Sequence, residues 1–241
     1  MTALFVSDLH LDSSRPAATD CFLNFLAGPA RDVATLYILG DLFEAWIGDD
    51  AAGAHEQRVM QALASFTASG TRCCFMRGNR DFLIGKQFAK ATGLTLLDDE
   101  TVVELADQQV LLMHGDTLCT DDLAYQRYRR LVHNPALQAT YLSLPASIRE
   151  RIANYARRRS QASNAGKPDA IMDVNPMAVV GALQRHGVRW LIHGHTHRPG
   201  VHILKIDGEA ARRIVLGDWY EQGSVLRWTG DLPRLEALPL T

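Results

Sequence analysis

The sequence predicts a layered α/β fold, in which central β-sheets are covered by helices. Short apolar runs recur along the chain and are bounded by turn residues, a pattern typical of buried strands. Helix-like stretches lie between these runs, notably at residues 18–33 and 57–68. Elements that alternate in this way bury the faces of a sheet under helices. The chain has 241 residues, 47% of them hydrophobic, so we expect a single domain spanning residues 1–241.

Each of the five clearest predicted strands is followed by a polar motif. The strands lie at residues 3–6, 36–39, 73–76, 110–113 and 190–192, and the motifs are Ser7-Asp8, Gly40-Asp41, Arg77-Gly78-Asn79, His114-Gly115-Asp116 and His193-Gly194-His195. In layered α/β folds, ligands bind beyond the carboxyl ends of the strands. We therefore expect the five motifs to converge on one site. Further strands are predicted at residues 201–203, 213–216 and 224–228, which makes the last third of the chain β-rich.

One segment, residues 121–167, shows no strand pattern and is predicted to be helical. It has nine basic residues against three acidic ones, a local charge of +6 in a chain whose net charge is −2. Apolar residues are interleaved with its arginines: Leu142, Leu144, Ile148, Ile152 and Tyr155. We interpret the segment as a helical insert, or lid, over the site. The alternative is a solvated basic helix pair that only caps the domain.

Charge and composition argue against several classes of protein. The net charge of −2 gives no overall basic field, so we expect no nucleic-acid partner. No apolar stretch reaches the roughly 18–20 residues needed to cross a bilayer. The first residues, MTALFVSDLHLD, lack a basic region and carry early charges, so we predict no signal peptide. The four cysteines show no CxxC spacing, and we expect them to be reduced in a cytosolic protein.

The polar motifs contain seven candidate metal ligands, all of them nitrogen or oxygen donors: Asp8, His10, Asp41, Asn79, His114, His195 and His197. In an extended segment, residues i and i+2 point the same way, so Asp8 and His10 can bind one ion. Such a set suits Mn²⁺, Mg²⁺, Fe²⁺ or Zn²⁺, and seven ligands suffice for two ions if Asp41 bridges them. Taken singly, a strand-end Asp or Asn often caps a helix or fixes a turn instead. His193 alternates to the opposite face and is predicted to lie in the core or behind the ligands.

Five sequence blocks resemble those of the calcineurin-like metallophosphoesterases: Asp8-Leu9-His10, Gly40-Asp41, Gly78-Asn79-Arg80-Asp81, His114-Gly115-Asp116 and Gly194-His195-Thr196-His197. The resemblance extends from Leu4 to about Trp219. It implies a four-layer αββα sandwich that holds two divalent metal ions. One ion would be held by Asp8, His10, Asp41 and His197, and the other by Asp41, Asn79, His114 and His195.

Arg80 departs from the pattern of this superfamily. In many members the position is a histidine that assists the leaving group, whereas an arginine cannot donate a proton at neutral pH. An alkoxide leaving group needs that proton, but a phosphate, whose second pKa is about 6, does not. A guanidinium also binds phosphate bidentately. Arg80 therefore favours cleavage of a pyrophosphate over that of a simple ester; the alternative is that Arg80 only pairs with Asp81.

Longer runs resemble a narrower family, the UDP-2,3-diacylglucosamine pyrophosphohydrolases of lipid A biosynthesis. These runs are residues 37–50, 78–83, 112–122 and 193–199. The resemblance implies hydrolysis to UMP and 2,3-diacylglucosamine 1-phosphate, with Mn²⁺ as the usual metal and with a metal-activated water that attacks the α-phosphorus. It makes Arg80 and His195 catalytic. It also implies that the substrate contacts Asn79, Arg80, His114, Asp122, Ser160, Asn164, Lys167 and His195. The alternative for Ser160, Asn164 and Lys167, which fall at the end of the helical segment, is an exposed polar helix end.

The lid suggests how a lipid substrate is handled. Its apolar residues could line a chamber for acyl chains, and its arginines could bind anionic headgroups. We therefore expect a cytoplasmic monomer that associates peripherally with the inner membrane. Three alternatives are a phosphoesterase for soluble nucleotides, a scaffold that has lost its metals, and a nuclease. Arg80 and the lid argue against the first, the intact ligand set against the second, and the near-neutral charge against the third.

Overall fold

A computed structural model of the protein describes residues 2–164, 173–230 and 232–240. Its strands are β1 (Thr2–Val6), β2 (Thr35–Leu39), β3 (Arg72–Met76), β4 (Thr95–Leu96), β5 (Glu100–Leu105), β6 (Gln108–Met113), β7 (Trp190–His193), β8 (Gly200–Ile206), β9 (Glu209–Val215), β10 (Gln222–Thr229) and β11 (Leu232–Pro239). The helices are α1 (Pro16–Ala27), α2 (Ala54–Ala68), α3 (Lys86–Thr92), α4 (Leu123–Val132), α5 (Pro135–Leu142), α6 (Ala146–Asn164) and α7 (Pro176–His186). Short 3₁₀ helices lie at Asp49–Ala51 and Asp116–Leu118.

The strands form two sheets, and the loops at the carboxyl ends of their parallel strands meet. The first sheet has the order β11-β10-β1-β2-β3-β4, and the second has the order β5-β6-β7-β9-β8. Strands β1, β2 and β3 are parallel, as are β6, β7 and β9. The loop after β1 meets the loop after β7, because the backbone N–H of His195 donates to Asp8 at 2.9 Å. The polar motifs at the carboxyl ends of both sheets therefore converge, as predicted.

Three apolar layers hold the sheets and helices together. Alternate residues of each buried strand point to opposite sides of the sheet. Leu4 and Val6 of β1 pack in the layer with α1 and α2, whereas Phe5 faces the second sheet. On the far side, Leu111 of β6 packs in the layer that contains Leu183 of α7. The order of layers is helix, sheet, sheet, helix, which confirms the predicted αββα sandwich.

The predicted elements are present, with some differences in their bounds. Helix α1 ends at Ala27 and not at residue 33, because Gly28 and Pro29 follow and a proline cannot continue a helix. Helix α2 begins at Ala54, ahead of the predicted residue 57. The pattern does not predict β5 or β11, which are edge strands or contain proline, as at Pro233 of β11. All four cysteines are buried, and none of them forms a disulfide within the described part of the chain.

Helices α4, α5 and α6 lie within the segment that was predicted to be helical, and two of them are fastened to loops of the core. The buried Arg149 of α6 donates to the carbonyl of Ile47 at 2.7 Å and to Asp50 at 2.8 Å. Arg129 of α4 donates to Asp116 at 2.6 Å. Within the ranges that the structure describes, no helix is both long and apolar enough to cross a bilayer.

Candidate metal centre and active site

Five of the seven predicted ligands have backbone angles in the left-handed region: Asp8 (φ 54°), His10 (φ 48°), Asp41 (φ 54°), His195 (φ 68°) and His197 (φ 56°). Residues other than glycine rarely adopt this conformation, and it persists only where the surrounding structure enforces it. Here the loops after β1 and β2 pair with each other. His10 N–H donates to the carbonyl of Asp41 at 2.9 Å, and Leu11 N–H donates to that of Leu42 at 2.9 Å. Such strain concentrates at functional sites.

One group of donor side chains comprises Asp8, His10, Asp41 and His197. The Nε2 atoms of His10 and His197 are 3.3 Å apart. Asp8 Oδ1 lies 3.3 Å from His197 Nε2 and 3.9 Å from His10 Nε2. Asp41 Oδ2 lies 3.8 Å from His10 Nε2. Loops from β1, β2 and β7 thus direct four donor atoms towards one point.

A second group comprises Asp41, Asn79, His114 and His195. Asn79 Oδ1 lies 3.0 Å from His114 Nε2 and 2.9 Å from His195 Nδ1. His114 Nε2 lies 3.8 Å from Asp41 Oδ1. His114 Nδ1 is 2.9 Å from the carbonyl of Leu39, so Nδ1 carries a proton and Nε2 is the nitrogen that faces the site. Asp41 presents one carboxylate oxygen to each group, which is the geometry of a bridging ligand.

The first group fits a bound cation. Asp8 Oδ1 is buried and has no hydrogen-bond partner among the described residues. His10 Nδ1 lies 3.1 Å from Glu44 Oε2, and His197 Nδ1 lies 3.4 Å from Asp218 Oδ2. With protons on these Nδ1 atoms, the two Nε2 lone pairs face each other and repel unless a positive charge lies between them. Histidines backed by carboxylates in this way are typical metal ligands.

Two glycines let the carboxylates reach the centre. A Cβ atom at Gly78 would lie 2.1 Å from Asp41 Oδ1, and one at Gly194 would lie 2.2 Å from Asp8 Oδ2. Any larger residue at either position would displace a ligand carboxylate. The absence of a side chain at these two glycines therefore lets the backbone lie close to the carboxylates of Asp41 and Asp8.

Asp81 fixes the loops that carry the ligands. Its buried carboxylate accepts from the N–H groups of Leu42 at 2.7 Å, Gly78 at 2.8 Å and Asp41 at 3.3 Å. Burial, together with the charge of Asp41, raises the pKa of Asp81 to about 7. Two adjacent buried carboxylates favour positive charge nearby, which again fits a cation on Asp41.

The histidines of the second group have opposite electrostatic surroundings. Burial lowers the pKa of His195 to about 4, and the neighbouring His114 adds to this. Burial would also lower the pKa of His114, but nearby carboxylates, Asp41 foremost, raise it to about 9. His195 is therefore neutral at pH 7 and free to offer a lone pair. A cation would have to displace a proton from His114.

The remaining predicted residues lie on or near helices α4 and α6. Asp122 is the N-cap of α4, where its side chain accepts from the N–H of Tyr125 at 3.0 Å. Ser160 is exposed on α6, and Asn164 is the last residue of that helix. Lys167 lies outside the described residues. The buried His193 lies within the core behind the ligands, with Nδ1 at 2.8 Å from the carbonyl of Gly194.

Arg80 is held beside the second group. Its backbone N–H donates to Asp41 Oδ1 at 2.8 Å, and its guanidinium NH1 lies 3.6 Å from Glu44 Oε1. Asp81 binds backbone N–H groups instead, so the ion pair of Arg80 is with Glu44. The alternative pairing with Asp81 is not the one observed.

Sequence reasoning missed several residues that line this site. Glu44 contacts His10 and Arg80, Arg157 of α6 lies 3.8 Å from Glu44 Oε1, and Asp218 contacts His197. Of these three residues, only Glu44 could have been found from the sequence, because it is a charged residue three positions after Asp41 in a mostly buried apolar stretch. Arg157 is one of nine basic residues of its segment and nothing in the sequence distinguishes it.

Comparison with known proteins agrees with this geometry. The calcineurin-like phosphoesterase family matches residues 1–199. The chain is 52% identical over 239 residues to the UDP-2,3-diacylglucosamine hydrolase of Enterobacter sp. (strain 638), covering 99% of this chain and 100% of that one. It is 53% identical over 231 residues to the protein of the same name from Escherichia coli O81 (strain ED1a), covering 96% of each chain. Among solved structures, Yfce, a phosphoesterase from E. coli, shares the fold with a TM-score of 0.50 and 17% identity, over 100% of this chain and 94% of that one.

The fold, the donor groups and the family match define the class of this protein: it belongs to the calcineurin-like phosphoesterases and is a hydrolase. This family implies divalent metal ions, and the residues described above are the candidates to bind them. Within the family, the chain belongs with the UDP-2,3-diacylglucosamine hydrolases, to which it is similar along its whole length.

Proposed function

We propose that the chain hydrolyses the pyrophosphate bond of UDP-2,3-diacylglucosamine in lipid A biosynthesis, giving UMP and 2,3-diacylglucosamine 1-phosphate. The observation that carries the proposal is the pair of donor groups joined through Asp41, with Arg80 anchored to the same carboxylate. The substrate comes from the names of relatives that are 52% and 53% identical.

Two divalent cations, most simply Mn²⁺, complete the proposed site. Asp8, His10, Asp41 and His197 would hold one, and Asp41, Asn79, His114 and His195 would hold the other. The donors are all nitrogen or oxygen, the set that Mn²⁺ and similar ions accept. When bound, such cations supply Lewis acidity and lower the pKa of water at the site.

The protein's own residues act on the phosphates. Water attacks the α-phosphorus: a bond forms from its oxygen to that phosphorus, and the bond to the bridging oxygen breaks. The protons of the water pass to the solvent, because both phosphate products are ionised at neutral pH. The electron pair leaves with the sugar 1-phosphate, which needs no proton at neutral pH because its second pKa is about 6. Arg80 stabilises the charge on the phosphoryl oxygens, and His195, which burial keeps neutral, lies beside them.

Helices α4–α6 form the proposed lid of a single domain. Leu137, Leu142, Ile148 and Ile152 are 39–45% exposed there, and they would contact the acyl chains. Asp122, Ser160, Asn164 and Lys167 would contact the polar part of the substrate. The exposed arginines of α6 would bind anionic headgroups, so a monomer would associate peripherally with the cytoplasmic face of the inner membrane.

The direct test is release of UMP from UDP-2,3-diacylglucosamine by the purified protein. We expect release with Mn²⁺ and none after chelation. The same preparation should be assayed on UDP-glucose and on a soluble nucleotide diester. Hydrolysis of the soluble compounds but not of the lipid would overturn the substrate assignment and establish the alternative, a phosphoesterase for soluble nucleotides.

A further inference from the structure

Glu44 lies between the donor groups and the lid, and the backbone fixes its position. Glu44 N–H donates to the carbonyl of Leu11 at 3.1 Å, in continuation of the pairing between the loops after β1 and β2. Its side chain is 15% exposed, so most of the carboxylate is shielded from water. A carboxylate in this position is costly unless positive charge surrounds it. The groups around the Glu44 carboxylate therefore indicate the role of this residue.

One carboxylate oxygen of Glu44 faces the metal centre. Oε2 lies 3.1 Å from Nδ1 of His10, whose Nε2 atom faces Asp8 and Asp41. A carboxylate this close behind Nδ1 restricts the rotation of the imidazole ring and keeps Nε2 turned towards Asp8 and Asp41. Asp218 has the same relation to His197, at 3.4 Å, which provides a matched comparison.

The other oxygen of Glu44 faces two guanidinium groups. Oε1 lies 3.6 Å from NH1 of Arg80 and 3.8 Å from Nε of Arg157 on α6. Both distances exceed that of a hydrogen bond, so the contacts with Glu44 leave the N–H donors of both arginines available to another anion as far as the described residues go. Two guanidiniums against one carboxylate leave an excess positive charge of one. A cavity of about 250 Å³ adjoins Arg157 and is lined by Asp12, Ser14, Arg15, Glu44, Arg157 and Tyr220. Arg15 balances the charge of Asp12 there, so the excess positive charge of the two guanidiniums near Glu44 remains.

We propose that Glu44 is a positioning residue that orients His10 and holds Arg80 and Arg157 as a pair for a phosphate of the substrate. In this way the carboxylate joins the metal centre to helix α6. Without it, two like charges would lie together with nothing to fix them. The proposal rests on the proposed function for the identity of the phosphate ligand, but its part concerning His10 does not.

The test compares Glu44→Gln, Asp218→Asn and Arg157→Gln with the parent protein. Mn²⁺ affinity is measured by electron paramagnetic resonance on metal-stripped protein, and KM and kcat are measured at saturating Mn²⁺. For Glu44→Gln we expect Mn²⁺ affinity to fall at least about tenfold and KM at saturating Mn²⁺ to rise about tenfold. Asp218→Asn should weaken Mn²⁺ binding alone, and Arg157→Gln should raise KM alone. A fourth variant combines Glu44→Gln with Arg157→Gln. Because both substitutions act on one contact, its KM should rise by less than the product of the two single effects.

Three results would overturn the proposal. Unchanged Mn²⁺ affinity in Glu44→Gln would remove the part that concerns His10. An unchanged KM would remove the part that concerns the arginines, and a lower KM would show that Glu44 competes with the substrate. If Glu44→Gln does not fold, Arg157→Gln takes its place in the test, and an unchanged KM in that variant would overturn the part that concerns the arginines. Failure of the parent protein to hydrolyse the lipid would overturn the proposed function, while the Mn²⁺ measurements would still decide the part concerning His10.

Discussion

The carboxylate of Asp81 accepts the backbone N–H of Asp41 at 3.3 Å, so the proposed bridging ligand is held by a second, fully buried carboxylate. Asp81 also accepts from Leu42 and Gly78, which places the loops after β2 and β3 in one frame. Asp81 thus helps to fix the positions of Asp41 and of Asn79, which follows Gly78.

Replacement of Asp81 by asparagine should therefore reduce activity through geometry. An amide offers one oxygen to three N–H donors and directs its own NH₂ group at the backbone. We expect kcat and Mn²⁺ affinity to fall by about 10–100-fold, the usual effect of losing a residue that supports metal ligands. Titration of Mn²⁺ and steady-state kinetics measure both. Asp98→Asn, an exposed position, is the control, and equal behaviour of the two variants would contradict the assigned role.

Removal of Asp41 tests the bridge itself. Asp41→Ala deletes the side chain whose two carboxylate oxygens face His10 in one donor group and His114 in the other. We expect turnover and metal loading to be lost together, as measured by UMP release and by metal analysis of the purified protein. Near-normal activity with two ions per chain would show that the assignment of the bridge is wrong.

The proposed preference for a pyrophosphate depends on Arg80. Arg80→Ala should lower kcat/KM for the lipid substrate by about 10²–10³-fold, the range found when one charge-stabilising donor is removed. Arg80→Lys keeps the charge but loses the bidentate geometry, so its kcat/KM should lie between that of the parent and that of Arg80→Ala.

The control for Arg80 is a matched assay on a simple phosphodiester. Because that substrate expels an alkoxide, Arg80→His should improve its hydrolysis relative to the parent, by supplying a proton donor. Equal losses of Arg80→Ala and Arg80→His on both substrates would show that the residue has no role in distinguishing leaving groups.

The convergence of the seven proposed ligands on one site could be predicted, because each of them lies in a motif directly after a strand. Each follows an apolar strand, and the carboxyl ends of these strands must meet once the sheets form, as Asp8 and His195 do. Five of these ligands also adopt left-handed backbone angles that no sequence pattern indicates, since they arise from pairing between loops far apart in the chain.

Residues whose role depends on packing between distant segments could not be predicted. Arg157 reaches Glu44 only because α6 lies across the loop after β2, and Arg149 determines that placement. Asp218 contacts His197 from the loop between β9 and β10, which no motif marks. Asp122 has a local role that its position explains, since it precedes the first residue of α4 and caps that helix.

Arg149 should anchor α6 to the body of the protein. Its guanidinium is 2% exposed and donates to Ile47 and Asp50, whereas the Asp50 side chain is 61% exposed. Arg149→Ala leaves the Ile47 carbonyl without this donor, and we expect a loss of about 1–3 kcal/mol in the free energy of unfolding. Asp50→Asn should cost less, because water replaces an exposed partner. Urea denaturation compares the two, and an equal loss for both variants would contradict the anchoring role.

Membrane association should depend on the exposed arginines of α6. Arg151 and Arg158 are exposed, and each lies in the segment of local charge +6. A basic residue near an anionic surface contributes about 1 kcal/mol, so Arg151→Gln with Arg158→Gln should weaken binding to anionic vesicles by about 30-fold at low salt. Sedimentation with phosphatidylglycerol vesicles measures this, at low and at high salt. Arg31→Gln with Arg72→Gln removes the same charge from exposed positions outside the lid and should have a smaller effect. Salt screens the attraction between arginines and anionic headgroups, so binding of the parent protein should also fall at high salt. If neither salt nor the lid substitutions change vesicle binding, the arginines of α6 do not face the membrane.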